Sequence, residues 1–144
     1  MKREFSAGGI VLRLAPLAQD KFLNPSWEVL LTQHSQNKYW GFPKGLIDPG
    51  QTSKEAALRE VKEEGGVEAE IVEKVGDSKY VYTFEGEKIF KVVTIYLMRY
   101  LSGDPADHDW EMMDAGWFSP EEALKKLSFP NDKVLLKKAL EMNA

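Results

Sequence analysis

The stretch from Gly45 to Val67, GLIDPGQTSKEAALREVKEEGGV, restricts the possible folds of this chain more than any other. Thr52 followed three residues later by Glu55 has the form of a capping box, and Gly65-Gly66 form a helix stop, which together predict a helix from about Ser53 to Glu64. Ala57, Leu58 and Val61 make a narrow apolar stripe, suited to packing on a sheet. Glu60, Glu63 and Glu64 recur at helical spacing and project from one side. Like charges so placed repel by roughly a few tenths of a kcal/mol per pair at a wet surface. An acidic run on a helix is usually a solvated face. Three convergent carboxylates are also an oxygen-ligand set for a divalent cation. Arg59, beside Glu60 and four residues before Glu63, has a planar fork that can hold a carboxylate in place.

Around this helix the chain reads as strands. Phe5 to Leu14, with the apolar run Ile10-Val11-Leu12, predicts a buried strand, and Trp27 to Thr32 predicts the next one. Between them Ala15 to Ser26, with two prolines, reads as a loop at a hairpin end. Glu68 to Val75, Tyr80 to Phe84 and Lys88 to Leu101 are strand material, and Glu85-Gly86-Glu87 is a turn, so the last two runs should form a long antiparallel pair. In that pair Tyr80, Tyr82 and Phe84 share one face. Ser102 to Ala115 reads as an acidic loop over the site, carrying His108 and Glu111. Ser119-Pro120-Glu121-Glu122 opens a short helix that ends by about Leu127. Asn131 to Met142 predicts a closing amphipathic helix with Val134, Leu135, Ala139 and Leu140 facing inwards. The expectation is an α/β architecture, a mixed sheet between helical layers.

The order Gly45, five residues, Gln51, seven residues, Arg59-Glu60, Val61, one residue, Glu63-Glu64, one residue, Gly66-Val67 closely resembles the signature of the Nudix hydrolases. The resemblance implies a Nudix-type α/β/α sandwich spanning 1–144 as one domain. It also implies metal-dependent attack of water on a polyphosphate, with Mg2+, or Mn2+ in its place, held by Gly45, Glu60, Glu63 and Glu64. One position departs from the signature: Gln51 stands where the family has Glu, and an amide carries no charge. WGFPKG ahead of the box and GWFSPEEAL near the end are similar to the asymmetric diadenosine polyphosphate hydrolases. That branch implies Tyr82 and Lys91 as substrate contacts, Pro43 should hold Lys44 near the metals as a further one, and Glu111, six residues before Trp117, resembles the loop Glu that in family members is a further metal ligand or base. For Tyr39, Trp40 and Phe42 the plainer reading is packing beneath the loop.

Composition narrows the partners. The 144 residues contain no Cys, which excludes disulfides and thiolate metal sites and fits a cytoplasmic setting. No apolar run reaches membrane-spanning length. A formal net charge of −4 argues against broad binding to nucleic acid and points to a small nucleotide substrate. Within the resemblance, an ADP-ribose pyrophosphatase, a nucleoside triphosphate pyrophosphohydrolase and an RNA 5′-end pyrophosphohydrolase share the box. A non-catalytic nucleotide-binding module is the alternative from another class.

Overall fold

The structure, a computed structural model, describes residues 1–15 and 26–143. Most of the loop expected between the first two strands lies outside the described residues. Its ends are drawn together, with Ala15 N–H donating to Ser26 O at 2.8 Å. Seven strands and three helices follow in the order β1 (Lys2–Leu14), β2 (Trp27–His34), β3 (Trp40–Gly41), β4 (Lys44–Leu46), α1 (Ser53–Gly65), β5 (Val67–Phe84), β6 (Glu87–Gly103), β7 (Met112–Phe118), α2 (Pro120–Lys126) and α3 (Pro130–Met142).

All seven strands belong to one mixed sheet, ordered β3-β2-β1-β6-β5, with β4 added against β1 and β7 against β2. At its centre β1 runs parallel to β6, from Lys2 opposite Ile89 to Leu12 opposite Arg99. The other edge of β1 is shared, antiparallel to β4 over Ser6–Gly8 and to β2 over Leu12–Leu14. A parallel central pair must be covered on both faces, which is why Ile10-Val11-Leu12 is an unbroken apolar run instead of an alternating one. The two covers separate by side-chain parity. Ala7, Val11, Tyr96 and Met98 face α1, through Ala56, Ala57 and Val61. Ile10, Leu12, Ile95 and Leu97 face α2 and α3, through Leu127, Leu136 and Ala139.

Helix α1 is bounded as its sequence requires. Thr52 Oγ1 accepts from Glu55 N–H at 3.1 Å, Glu55 Oε1 accepts from Thr52 N–H at 3.0 Å, and Gly66 closes the helix at φ 71°. Its buried face differs from the expected stripe. Ala56 replaces Leu58, which is 37% exposed, because Glu60 and Glu64 share the sheet-facing side and turn the helix by about one position. A similar correction applies to α3. Val134 is 65% exposed, whereas Leu135, Leu136 and Ala139 are buried on the turn that carries Asp132 inwards.

β5 is one strand where two were expected. Register shifts at Glu68/Ala69, Ile71/Glu73 and Lys74/Gly76 let the ladder pass through the break-prone Gly76-Asp77-Ser78 without ending. The turn to β6 is two residues, Glu85 at φ 49° and Gly86 at φ 77°, the left-handed pair that matches strand twist. The acidic loop is also shorter than expected. β6 takes in Ser102 and Gly103, and β7 takes in Met112–Ala115, which leaves Asp104–Glu111 as the connection. Among the described residues no helix is long and apolar enough to cross a membrane.

Candidate active site

The site is built where β4, the body of α1 and the loop before β7 meet. Arg59 ties β4 and the turn after it to α1. Its guanidinium donates to Glu60 Oε1 at 2.8 Å, Glu63 Oε2 at 3.1 Å and Leu46 O at 3.1 Å, and it pairs with Asp48 Oδ2 at 3.4 Å. Gln51 joins the same group. Its Oε1 accepts from Asp48 N–H at 3.2 Å and lies 3.4 Å from the Arg59 guanidinium. The charge that Gln51 lacks is thus supplied to Arg59 by Asp48.

Glu60 and Glu64 are each only 7% exposed, whereas Glu63 lies at the surface. β4 approaches α1 so closely that a Cβ on Gly45 would stand 2.3 Å from the Glu60 carboxyl carbon, so a side chain there would displace that carboxylate. One residue earlier, Lys44 N–H donates to Glu64 Oε1 at 3.0 Å. The loop closes the other side. Asp109 N–H donates to Glu63 O at 2.8 Å, and Glu111 O accepts from Ser35 N–H at 3.0 Å and Ser35 Oγ at 2.8 Å. His108 turns its Nδ1 to Asp109 O at 2.7 Å, as a loop histidine would.

Negative charge accumulates here faster than it is offset. Burial raises the Glu64 carboxyl to about 8, against the pull of the Lys44 N–H, with Glu60, Asp109 and Glu111 adding to the rise. Burial also raises Glu60, and Arg59 offsets it while Glu63 and Glu111 add. Among the described residues no three acidic or histidine side chains converge into a finished metal cage. The reason is visible in the contacts: Arg59 holds Glu60 and Glu63, and Lys44 N–H holds Glu64. The donors are nonetheless all hard oxygens, and nearby carboxylates with raised pKa values are what a divalent cation offsets, so the residues fit such an ion.

On the α3 side of the sheet an open cavity of about 730 Å³ adjoins Glu64. Lys44, Gly45 and Glu64 line one end, and Tyr80, Tyr82 and Lys91 line the hairpin wall. Tyr80 and Lys91 are direct partners across β5 and β6. Tyr82 donates its hydroxyl to Glu4 of β1, and that bond pushes the phenol up to about 12. Burial pulls the Lys91 ammonium down, while Glu4 supports it. Phe42 is core, as its plainer reading held, but Tyr39 is 51% exposed and stands edge-on to Phe129, with ring centroids 4.9 Å apart.

Lys44, Gly45, Glu64, Tyr82 and Lys91 are therefore brought to one cavity. Arg59, Glu60, Glu63 and Glu111 lie behind or beside it and do not line it. Sequence reasoning missed Tyr80, Phe129 and Glu4. Tyr80 had a signal, since it shares side-chain parity with Tyr82, and Phe129 belongs to the Phe-Pro step after GWFSPEEAL, whereas Glu4 sits in a stretch with no pattern to mark it.

A mixed sheet covered on both faces, with a glutamate-bearing helix entered through a glycine turn, defines a family, and the match is direct. The chain belongs to the NUDIX domain family, whose model matches residues 21–138. Hydrolases of this family use divalent metal ions. Over nearly its whole length the chain is similar to the asymmetrical bis(5′-nucleosyl)-tetraphosphatase of Caenorhabditis elegans, at 29% identity over 130 residues, 90% of this chain and 94% of that protein. It is similar in structure to an Ap4A hydrolase binary complex from C. elegans, with a TM-score of 0.77, 28% identity and 97% of each chain covered. A relative from Mycobacterium tuberculosis is 33% identical over 103 residues, 72% of this chain. This chain spans only 42% of the length of that relative, and 36% of another from Bacillus subtilis.

Proposed function

We propose that the protein hydrolyses dinucleoside polyphosphates asymmetrically, with ATP as one product. The observation that carries this reading is the single cavity in which an aromatic wall, two lysines and a box glutamate meet. A dinucleoside polyphosphate is two flat bases joined by a highly charged chain, so it calls for stacking surfaces beside cations. The similarity to the C. elegans tetraphosphatase over almost the full length of both chains supports the same substrate class.

In this reading the Gly45 carbonyl, Glu60, Glu63 and Glu64 hold Mg2+. When bound, the ion screens the phosphate chain and acidifies the attacking water. The chain's own residues do the remaining work. Arg59 fixes Glu60 and Glu63 in position. Lys44 and Lys91 offset charge on the phosphates, more so as it grows on the leaving oxygen. Tyr82, held by Glu4, gives a base a fixed ring to stack on. Glu111, whose charge acts on Glu60 and Glu64, takes the proton of water in this reading. The oxygen of water bonds to phosphorus as the anhydride P–O bond breaks, and the displaced half leaves with that bridging oxygen. The absence of cysteine supports a cytoplasmic setting.

Product chromatography tests the reading, with diadenosine tetraphosphate, diadenosine hexaphosphate, ADP-ribose and a nucleoside triphosphate compared under identical conditions. ATP should appear from the dinucleotides, at the highest kcat/KM of the panel. More efficient turnover of ADP-ribose or of the triphosphate than of either dinucleotide overturns the substrate assignment.

A further inference from the structure

Glu4 does not line the cavity, yet two residues of the hairpin wall lean on it. Glu4, Lys91 and Tyr80 form one row across β1, β6 and β5, with Glu4 opposite Lys91 in the parallel pair and Lys91 opposite Tyr80 in the antiparallel one. Side chains in such a row leave the same face of the sheet. Tyr82 belongs to the neighbouring row, with Ile89 and Lys2, and β6 separates it from β1. Its hydroxyl nonetheless reaches Glu4 Oε1, so the phenol must lie across β6, over the buried Ile89. A second demand falls on the same carboxylate. Burial disfavours the ammonium of Lys91 and Lys44 adds to this, while Glu4 opposes it more strongly than Glu64 does. The titratable groups that face Lys91 are thus Glu4 from β1, Lys44 from β4, Glu64 from α1, and Tyr80 and Tyr82 from β5.

We propose that Glu4 is a positioning residue of this site: its one carboxylate fixes the ring of Tyr82 through a hydrogen bond and keeps an ammonium at Lys91 through its charge. The proposal rests on the dinucleotide reading above and deepens it, because Tyr82 and Lys91 serve base and phosphate there. The two services use different properties of the carboxylate. An acceptor oxygen is enough for the phenol, whereas the ammonium needs the negative charge. Glutamine has the oxygen and lacks the charge, and alanine has neither. The two services can therefore be removed one at a time.

Steady-state kinetics on diadenosine tetraphosphate across pH test the proposal. Glu4→Gln should keep KM within about twofold of the wild type and move the alkaline fall of kcat to lower pH, since Lys91 then loses its proton sooner. Glu4→Ala should move kcat in the same way and also raise KM by about threefold to tenfold, as expected for a stacking side chain set free to rotate. Tyr82→Phe should raise KM alike without moving the pH profile. In the double variant Glu4→Ala/Tyr82→Phe, KM should be no higher than in the worse single variant, because both changes remove one hydrogen bond. If Glu4→Ala fails to fold, Glu4→Gln and Tyr82→Phe carry the test, one through the pH profile and the other through KM. A wild-type KM and an unmoved pH profile in Glu4→Ala, or additive KM effects in the double variant, overturn the proposal. So does an unmoved profile in Glu4→Gln together with a wild-type KM in Tyr82→Phe. The substrate panel decides the reading beneath it separately. A protein that prefers ADP-ribose loses the dinucleotide reading, and the same variants assayed on ADP-ribose then test Glu4 alone.

Discussion

Five oxygen acceptors lie within 3.4 Å of the Arg59 guanidinium, from Leu46, Asp48, Gln51, Glu60 and Glu63. That arrangement separates Glu60 and Glu63 from Glu64, which has a backbone N–H instead. If the three hold a cation together, removing the charge of one must weaken the others' grip. Glu63→Gln and Glu64→Gln should each lower turnover by at least about tenfold at limiting Mg2+ while thermal melts stay cooperative. Unchanged turnover in both would remove the metal assignment. Asp132 gives a prediction of opposite kind, about stability. Its folded carboxyl lies above the unfolded value, so its contribution is present below the ordinary aspartate pKa and is lost as pH rises through the folded one. Near neutral pH the group therefore costs stability. Asp132→Asn should raise Tm near pH 7 and leave it unchanged at about pH 2.5, where both states are protonated. A lower Tm for the variant at neutral pH would show that the carboxylate is satisfied.

At the scale of elements, the β5–β6 hairpin divides its labour by residue. Tyr82 offers a ring, so Tyr82→Ala should raise KM by about tenfold or more and affect kcat less, given stacking worth about 1 to 3 kcal/mol per base. Lys91 offers charge, and Lys91→Ala should lower kcat instead. Steady-state kinetics on diadenosine tetraphosphate separate the two, and an unchanged KM for Tyr82→Ala together with an unchanged kcat for Lys91→Ala would exclude this wall from the substrate. The hairpin was legible because two-residue periodicity and a Glu-Gly turn are local signals. The ends of α1 were legible for the same reason, since Thr52, Glu55 and Gly66 act within a few residues of themselves. Which way α1 faces was not. Glu60 and Glu64 turn inwards against their own polarity because β4 and the loop before β7 surround them, and a helical spacing rule assigns acids to solvent. Val134 failed for a related reason, since the face α3 presents is decided by the sheet beneath it.

For the whole molecule, the site draws on β1, β4, α1, the β5–β6 hairpin and the loops before β7 and α3. The box announced its members because they lie in one run of sequence. Glu4 is brought in by topology alone, and no short-range pattern marks it. The same topology sets an order of events during folding. β1 must lie alongside β6, yet Lys2 waits for Ile89 and Leu12 for Arg99. Until the chain has been made that far, Ile10, Val11 and Leu12 have no central partner, and β5 has no ladder to close. Such long-range pairing is slow and leaves apolar strand edges open to neighbouring chains in the interval. A ribosome halted before Ile89 would therefore display the entire box, from Gly45 to Val67, beside a β1 that has only β2 and β4 to lie against.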